Sequence, residues 1–374
     1  MWKNIIGQDK VIKILRSIHI NNRLHHAFIF HGKKGVGKDA LAIEFAKALN
    51  CENFDKVKGA CDVCRTCTDI GKFQSRFVKF ITSLPASKTD NVNDNVLQSL
   101  STSDYEFLLS ELEMKSKNLY YKVNIPKANT IRIDSIRQLI KEAYMTVSSK
   151  NKKVFIISDC DMMNPNTANS LLKILEEPPA NTIIILTTSK LNSLLPTIVG
   201  RCQKIKFESL SKSDIKKYLK KINPELNETE ADLFSEIAQG SLGTFQDLEI
   251  ENYKIFRDAV IDALRNLMTA KYVSLNKSVS IITESKNKNL IKLALYILII
   301  WFRDINTVYS GDESNIISQD LKDNILKFSK SYNANIFKII TEIEDVLRDI
   351  EFNVNPDLMF NKLLFDIKLN IKPT

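Results

Sequence analysis

The apolar positions change their period near residue 210. Before it, short fully apolar runs alternate with amphipathic helical stretches; after it, the helical period dominates. Val11, Ile14, Leu15 and Ile18 share one face and predict a helix over 11–23. An apolar strand at 27–30 runs into a glycine-rich loop, and a helix opens at Asp39 and carries Leu41, Phe45 and Leu49. Residues 77–81 read as a second strand. Residues 86–120, rich in Ser, Asp and Asn, read as a polar insertion, part loop with a short helix near 105–112. An amphipathic helix over 131–144 follows. Apolar strands at 154–157 and 183–186 flank a helix over 166–175 that Pro178 and Pro179 stop. A last strand alternates around Ile205 and Phe207. Apolar strands separated by helices imply an α/β domain whose parallel sheet is covered on both faces. Beyond it, Ser211 to Asp214 form a capping-box pattern. The stretch 239–243 breaks the series, a loop falls at 310–314, and helices fill the rest to Leu369.

The glycine-rich loop matches G-x-x-x-x-G-K, with Gly32, Gly35, Val36, Gly37 and Lys38 at its defining positions. Strand, loop and helix in that order are the setting in which backbone N–H groups and a lysine cradle phosphates. The next residue in such loops is Ser or Thr, whose hydroxyl holds magnesium. Here it is Asp39, whose carboxylate sits in the first helical turn, is stabilised by the helix dipole and would repel a β-phosphate. Asp39 is also a hard oxygen donor suited to magnesium, so a working site and a vestigial loop kept for its turn both stay open. After the 154–157 strand, Ser158 stands where a magnesium-associated aspartate is expected, and Asp159 where a water-activating glutamate is expected, one methylene short.

Cys51, Cys61, Cys64 and Cys67 form a second constellation, with Cys160 and Cys202 apart from it. Four thiols at this spacing suit a closed structural zinc site; an iron–sulfur cluster and an unmetallated loop are the alternatives. At 374 residues the chain exceeds a single core. A net charge of +9 favours a polyanionic partner or serves solubility alone. No apolar signal core opens the chain. The most apolar run, 293–302, is too short to span a bilayer, so a buried helix, no membrane contact and a cytoplasmic setting are expected.

These features fall in an order that resembles one family. Ile5-Ile-Gly-Gln8, His26-Ala27, the glycine loop and the four cysteines lead. Asn169-Ser-Leu-Leu-Lys-Ile-Leu-Glu-Glu-Pro-Pro179, Gly200-Arg-Cys202 and Asn353-Val-Asn-Pro-Asp-Leu358 follow. Together they resemble the subunits of the bacterial DNA polymerase III clamp loader, within the AAA+ ATPases, and their delta-prime type most. The resemblance is strong over 1–210 and weaker over 211–374, and the insertion at 86–120 has no counterpart in it. It implies an AAA+ α/β domain over 1–207 with a four-cysteine zinc module at 51–67, a helical lid over 208–250 and an all-α collar over 251–374. It implies gamma/tau-type and delta-type subunits as partners, and the sliding clamp and primed DNA through the complex. It also implies that Arg201 acts in trans as an arginine finger, although Gly200 replaces the family's serine. ATP-hydrolysing members carry an arginine where Gly243 stands. Asp39, Ser158 and Gly243 therefore point to a rigid, non-hydrolysing ring member. A gamma-type active ATPase subunit is the alternative, and a DNA-binding AAA+ scaffold a further one.

Overall fold

The computed structural model describes residues 2, 4–86, 96–145, 151–245, 250–284, 287–350 and 354–374. Asn353 of the resemblance motif and residues 87–95 of the insertion lie outside the described residues. The chain divides into two compact units. The first comprises residues 1–215 with 240–243, and the second 216–239 with 244–374.

The first unit is built on five parallel strands: β1 (Ala27–His31), β2 (Val78–Ile81), β3 (Lys153–Ile157), β4 (Thr182–Thr188) and β5 (Gln203–Lys206). Their order across the sheet is β2-β3-β4-β1-β5. Alternate side chains leave the sheet on opposite faces. Phe28, Phe30, Val154, Ile156, Ile183 and Ile185 enter one core with Val11 and Leu15 of α1 (Asp9–Ile20) and Leu41 and Phe45 of α2 (Lys38–Asn50). Ala27, Ile29, Phe155, Ile157, Ile184 and Leu186 enter the other. There they meet α5 (Ile133–Tyr144), α6 (Pro165–Glu176) and α7 (Pro196–Arg201). The two-sided burial accounts for the unbroken apolar runs 27–30, 154–157 and 183–186 within β1, β3 and β4.

Between α2 and β2 lies the cysteine loop, closed by α3 (Arg65–Gly71). Between β2 and α5 the insertion forms α4 (Thr102–Lys117), a 16-residue helix that exceeds the short one expected at 105–112. Ser101 caps it by accepting the Asp104 N–H at 3.1 Å. Leu84, Val96, Leu108 and Ile125 give the insertion a small core of its own. A polar composition hid this because most of the helix surface faces water.

α8 (Lys212–Ile222) is capped as expected, with the Asp214 N–H on the Ser211 hydroxyl at 3.1 Å. The second unit continues with α9 (Glu228–Ile237), α10 (Ile250–Met268), α11 (Tyr272–Thr283), α12 (Lys288–Tyr309), α13 (Lys322–Ser331), α14 (Ile336–Asp349) and α15 (Pro356–Leu369). The apolar run at 293–302 is the buried middle of α12. No helix among the described residues is long and apolar enough to cross a membrane. This unit also holds a two-stranded antiparallel ribbon, β6 (Tyr332–Ala334) with β7 (Ile371–Pro373). Strands this short cannot show an alternation in sequence. Asn355 caps α15 by accepting N–H groups of Asp357 and Leu358, with Pro356 in the first turn where no donor is needed.

Candidate functional site

The parallel register brings Ile29, Ile157 and Leu186 into one row, so the ends of β1, β3 and β4 open together at the start of α2. The glycine loop spans this opening. Gly35 has φ +70°, and its carbonyl accepts the Leu242 N–H at 3.0 Å. It is pressed so closely that an added Cβ would lie 2.2 Å from the Ser241 hydroxyl. The 240–243 stretch therefore packs directly on the phosphate loop. Gly243 itself sits against the Gly35 backbone. Lys38 is buried and turns back on the loop, donating to the carbonyls of Gly32 at 2.9 Å and Lys33 at 2.6 Å. Desolvation lowers its pKa, opposed by the carboxylates of Asp39, Asp159 and Asp161.

Asp39 is the centre of a network. Its Oδ2 accepts from the Ser158 hydroxyl at 2.7 Å and its Oδ1 from the Thr187 hydroxyl at 2.6 Å. In a working phosphate-loop site the hydroxyl belongs to the loop and the carboxylate to the β3 end. Here the two have changed places and touch each other. The Lys115 ammonium approaches Asp39 Oδ2 to 3.6 Å. Burial pushes the Asp39 carboxyl up, but Lys115, then the Thr187 and Ser158 hydroxyls, then Lys38 outweigh it and hold its pKa below the ordinary value. Lys115 is only 1% exposed; burial lowers its pKa and Asp39 restores part of the loss. It donates to the Tyr121 carbonyl at 2.7 Å and lies 5.2 Å from the Phe80 ring centre. Asp159 pairs with Lys122 at 2.7 Å, and the Thr188 hydroxyl donates to Asp161 at 2.6 Å.

Asp39 and Ser158 thus touch, and Asp159 stands beside them with its backbone N–H on the Thr187 hydroxyl at 3.2 Å. Thr187, Thr188, Lys115, Tyr120 and Lys122 join them without having been singled out. One signal for Lys115 was available: Leu108, Glu111, Leu112 and Lys115 share a helical stripe, and charged residues on a buried stripe require partners. Glu111 accepts the Tyr121 hydroxyl at 2.8 Å and the Asn124 N–H at 2.7 Å.

The four clustered cysteines converge. Their sulfurs all lie within 4.8 Å of one another, where a tetrahedral site with Zn–S bonds of about 2.3 Å spaces them by roughly 3.8 Å. Backbone N–H groups of Cys61, Cys64 and Cys67 point at the sulfurs of Cys51, Cys61 and Cys64, at 3.2, 3.3 and 3.4 Å. The N–H groups of Cys64 and Val63 bring the Cys61 thiol down to about 7, while burial raises Cys51 and Cys67. These thiols can hold a metal ion such as zinc, and they stand apart from the phosphate loop chemistry. The loop is tied to α2 through Lys47, which pairs with Glu44 at 2.8 Å and Asp62 at 3.1 Å. Cys160 and Cys202 are buried and lie outside this cluster.

Arg201 ends α7. Its Nη2 pairs with Glu176 Oε1 at 2.7 Å and its Nη1 donates to the Thr197 carbonyl at 2.9 Å, with 37% of the side chain exposed. Glu176 belongs to the Leu-Glu-Glu-Pro-Pro stretch. An added Cβ at Gly200 would meet nothing within 4 Å, so no crowding requires glycine there.

A parallel sheet ordered β2-β3-β4-β1-β5, with a phosphate loop after β1 and acidic and hydroxyl groups at the β3 and β4 ends, defines a phosphate-loop α/β protein. Residues 7–211 match the family described as DNA polymerase III, delta subunit, and the chain belongs to that family. DNA polymerase III subunit delta' of Bacillus subtilis (strain 168) is 24% identical over 95% of this chain and 94% of its own length. DNA polymerase III subunit gamma of Buchnera aphidicola subsp. Schizaphis graminum is 30% identical over 64% of this chain and 55% of its own. Among solved structures, a gamma subunit-related protein of Thermotoga maritima is 14% identical, with 95% of this chain and 99% of that one aligned at a TM-score of 0.42.

Proposed function

We propose that the chain is a delta-prime-type clamp-loader subunit: a ring member that turns over no ATP itself and presents Arg201 to the ATP site of a neighbouring subunit. The observation that carries this is the state of Asp39, whose carboxylate is engaged by Ser158, Thr187 and Lys115. A carboxylate so engaged, with an ammonium beside it, is not left to hold a metal nucleotide. Gly243 removes a further cationic contact, and its place against Gly35 leaves little room for one. Arg201 lies at an exposed helix end, where a guanidinium can meet charge developing on a neighbour's transferring phosphoryl group.

In this reading gamma/tau-type and delta-type subunits are the partners, and the sliding clamp and primed DNA are reached through the complex. The net charge of +9 adds salt-dependent attraction to DNA. Zinc is the metal of the four cysteines, with a structural role. The 1–207 region serves as the AAA+ domain, 208–250 as lid and 251–374 as collar.

The test is reconstitution with gamma/tau-type and delta-type subunits. The wild-type chain should enter a defined heteromeric complex. Arg201→Ala should enter it equally well and lower the ATPase rate of the whole. Failure to assemble removes the clamp-loader reading; an unchanged rate removes the finger. The gamma-type alternative has one observation in its favour, since the Asp39–Ser158 exchange keeps one carboxylate and one hydroxyl at the site. Brisk ATP cleavage by the isolated chain would establish it.

A further inference from the structure

The exchange of carboxylate and hydroxyl between Asp39 and Ser158 does not by itself empty the site of metal-binding capacity, because the same two groups remain 2.7 Å apart. What disagrees with a bound magnesium nucleotide is the stretch that runs from the last turn of α4 into the segment after it. Lys115 brings its ammonium to 3.6 Å from Asp39 Oδ2, on a side chain almost wholly buried and anchored at the Tyr121 carbonyl. Lys122 binds the Asp159 carboxylate at 2.7 Å. Tyr120 bridges the rim: its hydroxyl accepts the Ile6 N–H at 2.7 Å, and its ring lies so close to Gly37 that an added Cβ there would be 2.8 Å from Cε1. Three ammonium groups, Lys38, Lys115 and Lys122, thus face three carboxylates, Asp39, Asp159 and Asp161. A divalent ion would add charge to a balanced cluster and would stand beside a buried ammonium at a few ångströms.

We propose that the 115–122 stretch is a built-in occupant of the nucleotide site, with Lys115 supplying the positive charge of the divalent ion, Lys122 neutralising Asp159 and Tyr120 covering the glycine loop. The phosphate loop is filled by its own chain and takes no magnesium nucleotide. This deepens the reading of a subunit that turns over no ATP and rests on it. Asp39 alone is then not the cause of silence: restoring the usual hydroxyl leaves both lysines and the tyrosine in place.

The test uses the full chain. A fluorescent N-methylanthraniloyl ATP with excess MgCl2 should give no saturable signal with the wild type or with Asp39→Thr up to about 1 mM, the top of the usual substrate range. Saturable binding by the wild type without cleavage overturns the occupant and leaves the proposed function standing; cleavage overturns both. Binding gained by Asp39→Thr alone overturns the occupant by tracing the silence to one residue. A second measurement is a denaturant cycle without nucleotide. Asp39→Asn and Lys115→Met should each raise the unfolding constant at least about tenfold, and the double variant should recover most of the loss. Additive losses would remove Lys115 as the resident counter-ion. If neither single variant folds, the wild-type titration still decides.

Discussion

In the proposed role Arg201 must leave Glu176 before it can reach a neighbouring subunit, and the cost of that step can be worked from the pair's surroundings. The two side chains are 37% and 50% exposed, so the ion pair is a surface pair worth about 0.2–1 kcal/mol. The bond to the Thr197 carbonyl is exchanged for water at a small net cost. Release therefore changes an equilibrium by at most about fivefold, given that roughly 1.4 kcal/mol is tenfold. An arginine finger supplies on the order of 10³–10⁵ in rate. Storage on Glu176 is thus a weak latch, and the two positions should differ sharply when mutated. The assay is single-turnover hydrolysis in the reconstituted complex at the ATP site adjoining this chain, with the other sites silenced by replacing their own phosphate-loop lysines. Arg201→Ala is expected to slow that site about 10³-fold, with little rescue by lysine, which lacks the planar fork. Glu176→Gln is expected to stay within about fivefold of the wild type. A Glu176→Gln loss as large as that of Arg201→Ala would refute the latch and place the carboxylate in the chemistry.

Lys47 is 8% exposed and lies between Glu44 and Asp62, so Lys47→Met should cost about 3–5 kcal/mol in urea unfolding, and Glu44→Gln in the same chain should recover much of it; no recovery would refute the pairing. Burial lowers the Lys47 pKa, but Glu44 and Asp62 outweigh it and raise it above 10.5. This contribution is therefore full below that value and lost as pH rises through the folded one, and the urea midpoint should fall in that range for the wild type more than for Lys47→Met. Asp39 behaves in the opposite sense. Burial pushes it up and Lys115 with the two hydroxyls brings it below 3.8, so its contribution is present above that value and lost as pH falls through the folded one. Asp39→Asn should flatten the acid limb of stability against pH, and an unchanged limb would contradict the assignment. Metal analysis should find about one zinc per chain, and chelation should expose the 51–67 loop to trypsin; a metal-free chain that resists trypsin equally would contradict the zinc site.

The legible parts of this molecule are those where one physical cause dominates a short stretch. Fully apolar runs announced β1, β3 and β4 because both sheet faces are covered, and Phe28 and Phe30 against Ala27 and Ile29 show the two faces being filled from one strand. Spacing brought the four cysteines together because a loop that short leaves thiols few places to go. The insertion was misjudged because composition averages over a helix. α4 has a polar surface and a narrow inner stripe, and Glu111 and Lys115 occupy that stripe as charged residues with specific partners. Pair relations across the fold were the least legible of all. Asp39 and Ser158 stand 119 residues apart and looked like two independent losses of function. Strand register makes them a single exchanged pair, and that changes what their loss means. Two separate defects would each weaken metal binding and add up. One exchange conserves the donor set, so the silence proposed for the site must come from something else that touches the pair. Among the described residues the cation that does so is the Lys115 ammonium, carried by the one segment that the family resemblance left without a counterpart.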